Sequence, residues 1–392
     1  MKLSHRLTNI TGGGSDGWEV FLRARRMIAK GEKVIELTIG EHDIRTAPNI
    51  LDAMDRAARA GHTGYALVPG THAMRAAVAK RVEERTGVPT GIDNVLITAG
   101  GQAGLFAAHH AVLEEGDTAL YIDPYYTTYP GTIRAVGGVP VAIEARSEDG
   151  FQPRAEAIDA AAKATGAKSL LINSPNNPTG AVYSRATLEA IVEVCKARDL
   201  WLITDEVYDV QVWEGEHISP RALPGMAERT LLVGSMSKSH AMTGSRIGWI
   251  VGPQEAIAHL TNLATHTNYG VAGFVQEAAT YALGLGKAPE IDVAAPFHRR
   301  HLIALELLAG QNVVKATPPQ GAMYVMLDIR ATGMSGNDFA NALLDEEKIA
   351  VMPGESFGAA ATGHIRVAMT VADEEFRVAL GRVLAFAARK AA

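Results

Sequence analysis

The sequence predicts an α/β fold with a mostly parallel sheet, and three observations carry that expectation. From about Asn94, apolar β-like runs alternate with helical patterns: Val95–Thr98, a helix through Ala111, Ala119–Ile122, then Ser169–Ile172, Trp201–Thr204 and Thr230–Val233. Strands separated by helices pair in parallel through crossovers. The runs end in residues that carry chemistry, among them Asn173, Asp205 and the loop that holds Lys238. Open α/β sheets bind ligands at the carboxyl ends of their strands. The turn Gly100-Gly101-Gln102-Ala103-Gly104 opens a helix, whose first backbone amides have no partner within the helix and can receive an anion.

Composition narrows the functional classes. A chain of 392 residues, 47% hydrophobic and 20% charged, can bury a full core and has a length prior of about two domains. A net charge of −6 lacks the basic excess that a nucleic-acid partner calls for. No apolar run approaches the roughly 20 residues that span a bilayer, and MKLSHRLTNI has no secretory apolar segment, so a cytoplasmic, membrane-free protein is expected. The single cysteine, Cys195, rules out an intramolecular disulfide and falls in the helical pattern Leu188, Ile191, Val192, Cys195. Thirteen histidines include no HExxH, and adjacent His109 and His110 cannot share a helix face, so no metal site is expected.

The elements follow in order. Asp16 to Lys30 reads as a helix stopped by Gly31, and Val34–Leu37 as a short strand. Helical patterns cover Ile50–Ala60 and Ala73–Arg85. Ser184 caps the next helix after the Asn-Pro-Gly turn at 173–180, and further helices are expected at Glu255–Leu263 and Gln276–Leu283. Pro289 to Pro296 marks the approach to a second domain, followed by a helix from His298 to Leu308, a strand at Met323–Leu327, a helix at Asn337–Glu346 and a strand through Gly363–Val367. In the last helix Phe376, Leu380, Val383 and Leu384 form one stripe, with acids at its start and bases at its end to suit the helix dipole.

The stretch Gly234–Trp249, GSMSKSHAMTGSRIGW, holds the densest chemistry. Lysine forms Schiff bases when its amine is neutral, which a neighbouring cation such as Arg246 favours. Ser235, Ser237 and the fork of Arg246 suit phosphate oxygens. An amine beside a phosphate site points to pyridoxal phosphate, which carries an aldehyde and a phosphate. A dinucleotide site at the glycine turn is the competing reading, since Asp123 follows at the end of the next strand. However, its glycines run G-G-Q-A-G rather than G-x-G-x-x-G, and that reading leaves Lys238 idle.

Motifs in order along the chain resemble the class I/II aminotransferases of fold type I: Leu37-x-x-Gly40-Glu41-x-Asp43; Thr63-Gly-Tyr65 before a glycine and a helix; Asp123-Pro-Tyr-Tyr126; N-x-P-x-N-P-T-G at Asn173–Gly180; Asp205-Glu-Val-Tyr208; the lysine stretch; and His364-Ile-Arg366. The resemblance implies a large domain with a mostly parallel seven-stranded sheet at 47–288, and a smaller α+β domain built from both chain ends, 1–46 and 289–392. It implies a Schiff base on Lys238 and a phosphate held by Gly101, Gln102, Ala103, Ser235, Ser237 and Arg246. Tyr126 is implied as the ring stacked on the pyridine face. From residues alone, no choice can be made among the three neighbouring tyrosines. Asn177 and Tyr208 are implied as donors to the ring oxygen, with a cis peptide at Asn177–Pro178. Asp205 is implied as the carboxylate that keeps the pyridine nitrogen protonated, a role that needs a buried acid beside it. For the substrate the resemblance implies Gly40 through its backbone, Asn177, and Arg366 as a bidentate grip on the α-carboxylate. It also implies a homodimer in which Tyr65 reaches the partner's phosphate.

The implied activity is ping-pong transfer of an amino group from an L-amino acid to a 2-oxo acid. The lysine stretch, Trp213–Pro220 and Leu223–Met226 resemble a bacterial subgroup that pairs arginine with pyruvate. Aspartate, alanine, aromatic or broad donors are the alternatives, with aspartate disfavoured because Thr265–Val271, THTNYGV, has no cation. A C–S β-lyase of the same fold would use nearly the same residues. A cofactor-sensing regulator would need a DNA-binding extension, for which little chain precedes Leu37.

Overall fold

A computed structural model describes residues 1–14 and 17–392. The start of the expected first helix, Asp16, lies outside the described residues; the helix itself runs Glu19–Ala29. In chain order the strands are β1 (Ile35–Leu37), β2 (Val95–Thr98), β3 (Thr118–Asp123), β4 (Val139–Glu144), β5 (Ser169–Asn173), β6 (Trp201–Asp205), β7 (Thr230–Ser235), β8 (Gly248–Val251), β9 (Lys315–Ala316), β10 (Tyr324–Asp328), β11 (Ile349–Pro353) and β12 (His364–Ala368).

They form two sheets. The larger has seven strands in the order β2-β8-β7-β6-β5-β3-β4, and only β8 runs against its neighbours. Its central strands are buried on both faces, as expected for a parallel sheet covered by helices, and so read as continuous apolar runs rather than alternations. Register puts the chemistry side by side. Asn173 pairs with Asp205 and Asp205 with Val233, so β5 and β6 finish level and β7 runs two residues further, to Ser235.

The second sheet, β1-β11-β12-β10-β9, is mixed. β1 is parallel to β11, and the other pairs are antiparallel. The helices Gly336–Glu347 and Asp373–Ala391 cover it, with Phe339, Phe376, Leu380, Val383 and Phe386 in one apolar cluster. The expected terminal stripe is therefore core packing. Central β12 presents Arg366 opposite Met326 on one side and Met352 on the other.

Local signals account for some helix boundaries. Ser184 accepts the amide of Thr187 at 3.1 Å and starts the helix Arg185–Ala197, which buries Leu188, Ile191, Val192 and Cys195. The Cys195 thiol is free, and burial pushes it up to about 12. The helix expected from His298 begins earlier: Pro289 to Pro296 belongs to the same helix, Ala288–Ala309. Pro289 stands in the first turn, where an amide has no partner to lose, while Pro296 is accommodated inside the helix.

Candidate active site

A cavity of about 420 Å³ opens where the ends of β5, β6 and β7 face the smaller sheet. Its walls include Gly40, Gly101, Gln102, Tyr126, Asn177, Asp205, Tyr208, Ser235, Ser237, Lys238, Arg246 and Arg366, so residues spread over most of the chain converge on one space. Ala103 adds the third amide at the start of the helix Gly101–Val112 and does not line the cavity. Tyr65 does not line it either. Its side chain is 91% exposed, and its ring lies edge-on to Tyr269 with centroids 5.1 Å apart.

Lys238 sits in the short turn that ends β7. Its ammonium donates to the carbonyl of Gly40, and its own carbonyl accepts from His42 Nε2 at 3.1 Å. Burial pulls the Lys238 ammonium down to about 8; Glu41 works against that shift, while Arg366 and Arg246 add to it. The cation effect expected of Arg246 is present but secondary to burial.

On one side of the lysine is a cradle for an anion. Ser235 Oγ lies 2.9 Å from Ser237 Oγ and accepts the Ser237 amide at 3.0 Å. Arg246 has left-handed backbone (φ +48°) and donates to the Thr243 carbonyl at 2.7 Å. Its guanidinium lies against Gly100, also at positive φ (+81°), where a β-carbon would come within 2.4 Å of a guanidinium nitrogen. The glycine turn thus lets the arginine and the free amides of the following helix approach the same point. Gln102 reaches that point only through its backbone, because its side chain is bonded to Thr128 and Thr132, each at 2.8 Å.

Beneath the cavity Asp205 is 5% exposed. Burial raises its carboxyl to about 6, and the hydrogen bonds from Tyr129 Oη (2.7 Å) and the Val207 amide (3.3 Å) hold it down. Asn173 Nδ2 fixes the Asp205 carbonyl at 2.9 Å. The Asn177–Pro178 peptide is cis, as the resemblance implies, and Asp123–Pro124 and Ser174–Pro175 are cis as well.

Opposite the cradle Arg366 is almost fully buried, at 1% exposure. It donates to Asn177 Oδ1 at 2.8 Å and to the Thr38 carbonyl, and it is sandwiched between the rings of Tyr324 (4.3 Å) and Phe357 (4.4 Å). Burial lowers its pKa, yet a guanidinium stays charged in proteins. Its Nε is buried without a partner. Tyr208 Oη is 2.9 Å from Tyr324 Oη, and a β-carbon on Gly40 would collide with that same Tyr324 hydroxyl.

Sequence reasoning missed Tyr129 as the partner of Asp205, and it missed Tyr324 and Phe357 as the frame around Arg366. Tyr129 stands three residues after Tyr126, their rings 5.9 Å apart at 83°, and helical spacing could have marked it. Tyr324 and Phe357 lie on other elements and gave no local signal.

The donor set fits pyridoxal phosphate. An anion cradle, a buried amine that is readily neutralised, a buried carboxylate and a flat aromatic wall surround one cavity, and the unpartnered Arg366 Nε stands across from the amine.

Comparison with known proteins agrees. Residues 32–383 match the family model for aminotransferase class I and II. The chain is 40% identical over 389 residues to arginine–pyruvate transaminase AruH of Pseudomonas aeruginosa, covering 99% of this chain and 98% of that protein. It is 35% identical to aspartate/prephenate aminotransferase of Thermus thermophilus, over 92% of each. Among solved structures it is similar to the Thermus thermophilus aspartate aminotransferase with maleate, with a TM-score of 0.91 and 33% identity over 98% of this chain and 100% of that one. A complete family match, shared fold and a site of this composition make the chain a member of the pyridoxal-phosphate-dependent class I and II aminotransferases.

Proposed function

We propose that this aminotransferase runs its reaction through Lys238, Asp205 and Arg366, with L-arginine as amino donor and pyruvate as acceptor. The observation that carries the site assignment is the placement of one buried amine between an anion cradle and a buried, aromatic-clamped guanidinium. Pyridoxal phosphate, when bound, supplies the aldehyde that takes the amino group and the ring that accepts electrons from Cα.

Ser235, Ser237, Arg246 and the amides of Gly101, Gln102 and Ala103 hold the phosphate. Tyr126 covers the ring face, Asn177 and Tyr208 hold the ring oxygen, and Asp205 keeps a proton on the ring nitrogen. Arg366, with Asn177 and the Gly40 backbone, orients the substrate carboxylate so that the Cα–H bond faces Lys238. Lys238 would take the proton from the substrate Cα as general base and return a proton as general acid, and the same residues would serve the second oxo acid in the reverse direction.

Arginine with pyruvate is supported by the similarity to a protein of that name. The charges support it too. Among the described residues, the cations lining the cavity are Lys238, Arg246 and Arg366, each with a task, so none remains for a side-chain carboxylate. Aspartate, alanine and aromatic donors are the alternatives. The chain is read as a large domain at 47–288 and a small domain from 1–46 and 289–392, as a homodimer in which Tyr65 reaches the partner's phosphate, and as a cytoplasmic protein. Support for the dimer comes from the exposed pair Tyr65 and Tyr269 with exposed Leu67 nearby.

The test is a half-reaction screen. Holoenzyme mixed with single amino acids should lose its yellow colour as the amine form accumulates, with arginine among the reactive ones. Release of ammonia and an oxo acid without any added acceptor would instead indicate a lyase.

A further inference from the structure

The catalytic cavity has a neighbour. Trp18 and Gln102 belong to its wall and also to the wall of a second cavity of about 850 Å³, which extends past Thr11, Glu19 and Arg134 to Glu355. Gln102 turns its side-chain amide to Thr128 and Thr132, next to the helix Tyr129–Ala135. The two cavities differ in charge. The inner one sets the three cations already assigned against Glu41 and Asp205. In the outer one, the described charged side chains are Glu19, Glu355 and Arg134. Arg134 is committed to the Ile10 carbonyl at 3.1 Å, and Glu355 uses Oε1 to accept the amides of Gly336 at 2.9 Å and Gly363 at 3.4 Å. Glu19 is solvent-exposed, follows Trp18 in the chain, lines only the outer cavity, and forms no ion pair or hydrogen bond with any described residue.

We propose that the outer cavity is the distal half of the amino-donor site and selects long, cationic side chains. An amino acid held at its α-carboxylate by Arg366 sends its side chain out between Trp18 and Gln102. The methylenes pass along the indole, whose face also attracts a cation. The terminal guanidinium or ammonium then meets the Glu19 carboxylate, to which a guanidinium can donate two parallel hydrogen bonds. A short side chain stays within the inner cavity and does not sense Glu19. The proposal rests on the aminotransferase reading of the inner cavity, and it adds to that reading the residues that sort donors by length and charge.

The experiment compares wild type, Glu19→Gln and Glu19→Lys as holoenzymes with arginine, lysine, glutamate and alanine. In Glu19→Lys, kcat/KM for arginine and lysine should fall by about tenfold or more and that for glutamate should rise, with alanine unchanged. Glu19→Gln should fall between, without the gain for glutamate. Calorimetric titration with 5-guanidinopentanoate, which has arginine's carboxylate and guanidinium but no amine to react, should show about tenfold weaker binding to Glu19→Lys. Plain pentanoate should bind both proteins alike.

Parallel changes for arginine and alanine would overturn the proposal, as would unchanged binding of the guanidino acid. A wild-type enzyme that converts alanine but neither arginine nor lysine would also overturn it and leave the aminotransferase reading standing. Failure with every amino acid would instead remove that reading.

Discussion

An amine that attacks a carbonyl must first lose its proton, and burial holds the Lys238 ammonium at about 8, well below an ordinary lysine. Uptake of pyridoxal phosphate by the apoenzyme should therefore quicken as pH rises through about 8 and level off above it. Stopped-flow absorbance would follow this, and a rate that climbs on toward pH 10 would mean an unperturbed lysine. Arg366 makes a different demand, for geometry rather than charge. Replacing it by lysine keeps the cation but loses the planar fork, and Tyr324 and Phe357 would no longer clamp a flat group. Arg366→Lys should raise KM for the amino acid by about tenfold to a hundredfold, the equivalent of one charge-assisted hydrogen bond, with phosphate affinity unaltered. Steady-state kinetics beside a cofactor titration would separate the two effects. These residues were legible in the sequence because each stands where an apolar run gives way to a turn or reappears within a short motif. Tyr129 and Tyr324 were not, because what they do depends on Asp205 and Tyr208, 76 and 116 residues away.

The loop after β6 works on two faces. Asp205 and Tyr208 point into the cavity, while Glu206 and Asp209 point behind it, where Asp209 meets Arg81 at 2.7 Å and Arg85 at 3.1 Å, and Glu290 completes the network at 2.9 and 2.6 Å. That ties the helices His72–Thr86 and Ala288–Ala309 to the loop that follows Asp205. Burial alone would push Asp209 up, but Arg81 and Arg85 outweigh it and hold the carboxyl at about 2. Because its folded pKa is depressed, its contribution is full above the unfolded value of about 4 and is lost as pH falls from there toward 2. Asp209→Asn should cost about 3 kcal/mol by leaving two arginines underpaired in a buried network, and urea unfolding at neutral pH would measure it. Nothing in the sequence announced this network: its four members sit in two distant helices and a turn, and charged residues in helical patterns are ordinarily solvated. The start of the helix Ala288–Ala309 was similarly misjudged, because a proline inside a helical pattern reads as a break unless tertiary contacts are known.

At the scale of the molecule, the larger sheet brings Ser235, Ser237, Lys238 and Asp205 together, and the smaller sheet delivers Arg366 from its central strand. Parallel strands could be ordered as a class from their alternation with helices. The smaller sheet could not, because it pairs β1 near the start of the chain with β11 near its end, and three-residue β1 has no pattern of its own. The resemblance supplied that architecture, not the periodicity. The proposed dimer gives Tyr65 a task that one protomer does not. Sedimentation equilibrium should return the mass of two 41.6 kDa chains, and Tyr65→Phe should weaken cofactor binding by about tenfold, one hydrogen bond's worth. A monomer with full cofactor affinity would contradict both. The account as a whole turns on a single bond between Lys238 and the cofactor's aldehyde carbon. Borohydride reduction of the holoenzyme followed by peptide mass spectrometry should find the pyridoxyl group on the peptide containing Lys238 and nowhere else; label on another lysine, or none at all, would contradict it.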